Sequence, residues 1–127
     1  MVNAVLRLHF DEPVRLDRGQ LEVLYRNLGP TGADRVVAHA LEDLATALTQ
    51  ASAQYGAGEI EALRGTVKSV IALAQQVGMT VLARVGRDVL ALSHSYDAAA
   101  FGATMARLGR IGEGSLVAVW DLQDLSG

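Results

Sequence analysis

Lys68 is the residue around which chemistry in this chain has to be argued. It lies in residues 63–78, LRGTVKSVIALAQQVG, on the polar side of a helical repeat. Glu61, Arg64, Gly65, Lys68, Ser69, Ala72, Gln75 and Gln76 fall opposite an apolar stripe. Gly65, Ser69 and Ala72 are small neighbours on that face and leave the ammonium accessible. Group transfer needs a nucleophile that is unprotonated near neutral pH. Imidazole meets that condition, whereas an exposed lysine amine holds its proton. The chemistry open to Lys68 is therefore the pairing of a cation with an acidic pocket on a partner. The plainer alternative is one solvated charge among several.

The three histidines offer no better centre. His39 stands among Arg35, Glu42 and Asp43 at helical spacing, which describes a polar face of mixed charge. His39 and Asp43 have the i, i+4 spacing of two metal ligands, but no third ligand is indicated. His94 falls near a helix C-terminus, where an imidazolium complements the dipole. His9 belongs to an N-terminal arm, and neither it nor His94 has a serine and a carboxylate in catalytic order. Gly109, Gly112 and Gly114 follow a helix rather than a strand and reverse the dinucleotide spacing, so they are read as relaxing the last helix. Trp120 is expected to bury its ring at the bundle end, with anchoring of a partner as the alternative. No catalytic residue, cofactor site or metal site is assigned, and an enzyme is the least supported reading.

Five helical segments position these groups. Asp17 can cap the first, with Gln20 completing a capping box, and Leu21, Leu24, Tyr25 and Leu28 form its stripe before Gly29-Pro30 ends it. Thr31 is the expected cap of the second, whose stripe is Val37, Leu41, Leu44 and Leu48 and which runs to about Tyr55. After the turn at residues 56–58, the third buries Ile60, Leu63, Val67, Val70, Ala74 and Val77. Gly78 marks a tight join to the fourth, which uses Leu82, Val85, Val89 and Leu92 and ends near His94. Asp97 caps the fifth, which points Phe101, Met105 and Leu108 inward. Beyond it a kinked continuation of the helix is the first choice. A short strand over residues 116–120, paired with residues 5–10, is the alternative.

At 127 residues the chain is long enough for one domain with a single core. Half the residues are hydrophobic and only six are aromatic, a balance that favours helices over a sandwich or barrel. Short loops between helices of similar length favour antiparallel neighbours. The expected fold is all-α: an up-and-down antiparallel four-helix bundle over residues 17–122, with an additional N-terminal helix and a short extended lead-in arm at 1–16. A formal charge of −3 with interspersed signs supplies no basic stripe, so nucleic acid is not an expected partner. No apolar run is long enough for a bilayer, and residues 1–7, MVNAVLR, lack the basic start and long apolar run expected of a secretory leader. With no cysteine, disulfides and thiolate chemistry are excluded and a cytoplasmic location is expected.

That helix order, with the spacing of Lys68, Gly78 and Leu82, resembles the histidine phosphotransfer (HPt) domain of bacterial phosphorelays. The family motif is approximately H-x-L-K-G, with a glycine ten residues after the histidine and an apolar helix following. Counting back ten from Gly78 lands on Lys68, while Leu82, Val85 and Val89 match the following stripe. Lys68 stands for the histidine, Val70 for the motif leucine, and Ile71-Ala72 for the Lys-Gly pair. The resemblance implies a docking surface on the exposed face of the second and third helices, with Arg64, Gly65, Lys68, Ser69, Ala72 and Gln75 meeting a response-regulator receiver domain or a histidine kinase. It also implies docking without conventional phosphotransfer. The alternative function is a homo-oligomeric helical scaffold whose bundle end or N-terminal arm makes the contact.

Overall fold

The computed structural model describes residues 16–126, with side chains as far as Asp121. The expected lead-in arm, and the strand pairing that would have used residues 5–10, lie outside the described residues apart from Leu16. Four helices follow: α1 (Arg18–Gly56), α2 (Ile60–Gln76), α3 (Thr80–Leu92) and α4 (Ala98–Ser126). None is long and apolar enough to cross a membrane.

α1 contains both of the first two expected helices, joined through a kink. Gly29 has φ 73° and ψ 168°, a conformation an L side chain would strain, and Pro30 then starts the second segment. Proline has no N–H to donate and its ring fixes φ for a first helical turn, so helix restarts at Pro30. The expected cap at Thr31 is thus corrected: the non-helical residue at that junction is Gly29. The Tyr25 hydroxyl donates to Asp34 Oδ1 at 2.5 Å and ties the two segments across the bend. Leu21 and Leu24 pack on the core as expected, but Leu28 is 49% exposed and leaves the stripe assigned to it. Asp17 does cap the first segment, accepting from the Gln20 backbone N–H at 3.1 Å.

The bundle closes as a ring in which each helix meets its sequence neighbours and α1 meets α4. Contacts along the seams show the antiparallel sense. Tyr55 at the end of α1 stacks edge-on against Phe101 near the start of α4, with ring centroids 5.2 Å apart. Arg64 early in α2 reaches Ser93 at the end of α3. Leu44, Leu63, Val67, Val70, Leu82, Val85 and Leu108 are all 1% exposed or less and form the centre. Their spacing is the helical one read from the sequence, because one face of each helix is all that a ring of four can bury.

Gly78, with φ 77°, forms the α2–α3 join. Asp17 N–H donates to its carbonyl at 2.6 Å, and Leu16 bridges Met79 in antiparallel fashion. A Cβ on Gly78 would stand 2.6 Å from the Asp17 carbonyl oxygen, so glycine is required by space as well as by backbone angle. Asp97 caps α4, accepting from the Ala100 N–H at 2.9 Å. α3 ends at Leu92, two residues before the expected limit at His94.

In the tail the helical continuation expected as first choice is present: α4 runs as helix through Gly109, Gly112 and Gly114, and the alternative strand is not formed. Gly112 is buried against Leu48: an added Cβ would lie 2.6 Å from its Cδ1. This glycine admits a neighbouring side chain rather than loosening its own helix.

Candidate partner-docking site

α2 presents Lys68 to solvent because Val67 and Val70, beside it in sequence, are fully buried and fix the rotation of the helix. Gly65, Ser69, Ala72 and Gln75 are exposed on the same side. The Ser69 hydroxyl turns back on the Gly65 carbonyl at 3.4 Å, and nothing lies within 4 Å of where a Gly65 Cβ would be. The surroundings of Lys68 are therefore as open as its small neighbours suggested.

Arg64 is placed differently from the rest of the set. It is half-buried: Nε donates to Ser93 Oγ and Nη2 to the Ser93 carbonyl, both at 2.9 Å, while Nη1 pairs with Glu61. These bonds use the planar fork of the guanidinium to hold the C-terminus of α3 against α2. Ser93 has no chemical signature in sequence, and its role depends on the fold bringing it 29 residues back to Arg64.

Ser69 and Ala72 join Leu73 along one wall of a shallow groove of about 450 Å³, whose other wall is Asp43, Thr46, Ala47 and Gln50 of α1. The α1 wall was not among the expected site residues, although the spacing 43, 46, 47, 50 marks one helical face. Asp43 lines this groove, and His39 is exposed one turn earlier on α1. Comparison of the chain with family models, curated proteins and solved structures gives no match.

Proposed function

We propose that this protein is a cytoplasmic, HPt-like docking module of two-component signalling that binds a receiver domain or histidine kinase without accepting its phosphate. The observation that carries this reading is the exposed Lys68 midway along α2, flanked by small residues and beside the α1–α2 groove. A receiver of this kind would offer an acidic pocket, and a cation on a convex helical face complements it. A relay requires an imidazole with a free electron pair, and lysine stands in its place, so the contact ends at docking.

The test is incubation with a phosphorylated receiver that binds the protein. Complex formation with no acid-labile phosphate on this chain is expected. Phosphate that appears on the wild type and is lost in His39→Ala would move the activity to α1 and overturn the assignment.

A further inference from the structure

We infer that the outer face of α4 is a contact surface for a second copy of this chain, independent of the α1–α2 docking site. Val117 and Trp120 are 55% and 61% exposed, so the expected burial of Trp120 at the bundle end does not occur within the described residues. Arg110 and Glu113 precede them on the same exposed side, and exposed Asp121 follows. Large apolar side chains bordered by charges of both signs describe an interface rather than a solvated helix face.

The order of those charges selects the occupant. Arg110 lies before the apolar pair and Asp121 after it, so the face is complementary to itself when two copies of α4 run antiparallel. In that register Arg110 of each copy faces Asp121 of the other, twice about one twofold axis. Val117 then meets Gly114 of the second copy, where a missing side chain leaves room, and the indole lies over the backbone between Arg110 and Gly114. A parallel arrangement instead sets like charges against each other. The guanidinium carries five donors and can keep a contact within its own chain while pairing across the axis. α2 and α4 stand at opposite corners of the ring without close backbone approach, so the dimer leaves Lys68 open.

Trp120 is the only tryptophan, which makes its fluorescence a direct reporter. Light scattering and emission are followed together from submicromolar to millimolar full-length protein. The expected result is a mass rising from 13.4 kDa to twice that value, with emission shifting to the blue over the same range. Val117→Glu should abolish both changes at unaltered circular dichroism. Arg110→Asp and Asp121→Arg should each weaken association at least tenfold, and the double reversal should restore it. A constant monomer mass overturns the inference, whether emission is blue throughout because the chain covers its own ring or red throughout. A dimer indifferent to Val117→Glu and to the reversals overturns it as well, because another face then makes the contact.

Discussion

Gly78 shows how one residue serves the fold before it serves any function. Its φ of 77° and the Asp17 backbone pressed against it exclude a side chain on two separate grounds. Gly78→Ala should lose about 1–3 kcal/mol of stability, read as a lower melting temperature with helix content retained. An unchanged melting temperature would show that the clamp at residues 16–17 does not depend on this glycine. The same glycine carries the spacing on which the HPt resemblance rests, and its positive φ gives a reason for it that needs no relay chemistry. Asp17 and Asp97 were legible as caps because a cap is a local event between a side chain and amides three residues on. Thr31 was misjudged because Gly29, rather than the first polar residue, holds the non-helical angles at the break.

Among elements, α2 and α3 are locked by a polar clasp and by close packing. Gly86 lies so near α2 that an added Cβ would stand 2.7 Å from Ile71 Cγ1, and Arg64 closes the far end on Ser93. Arg64→Met keeps the aliphatic stem and removes the fork, so it should cost about 1–2 kcal/mol in a melting experiment. The loss should be smaller in Ser93→Ala, which removes the Oγ that Nε bonds but leaves the carbonyl that Nη2 bonds, and the loss in the combined variant should fall short of the sum of the two. Full additivity in that cycle would show that the pair does not act as one unit. Helix faces were legible because burial repeats with the helical period, whereas Gly86 and Gly112 answer to Ile71 and Leu48, 15 and 64 residues away in the chain. Half of the candidate groove was legible for the same reason. Its α2 wall belongs to a face already singled out by Lys68, and its α1 wall emerges only when the two helices are set side by side.

At the scale of the whole molecule, a ring of four helices exposes four seams and assigns different chemistry to them. The α1–α2 seam carries the groove beside Lys68, and α4 at the corner opposite α2 carries the apolar pair Val117 and Trp120. Docking of a partner and pairing of copies are thereby compatible in one molecule. The central claim is that Lys68 is the charge a partner reads, and exposed charge reversals on a helix typically cost under about 0.5 kcal/mol of stability. Affinity of the wild type and Lys68→Glu for a panel of receiver domains at low salt, with melting recorded on the same samples, tests it most directly. Weakened binding at an unchanged melting temperature is the expected result, because the reversal sets like charges face to face. Equal affinity of the two proteins for every receiver that binds would contradict the claim.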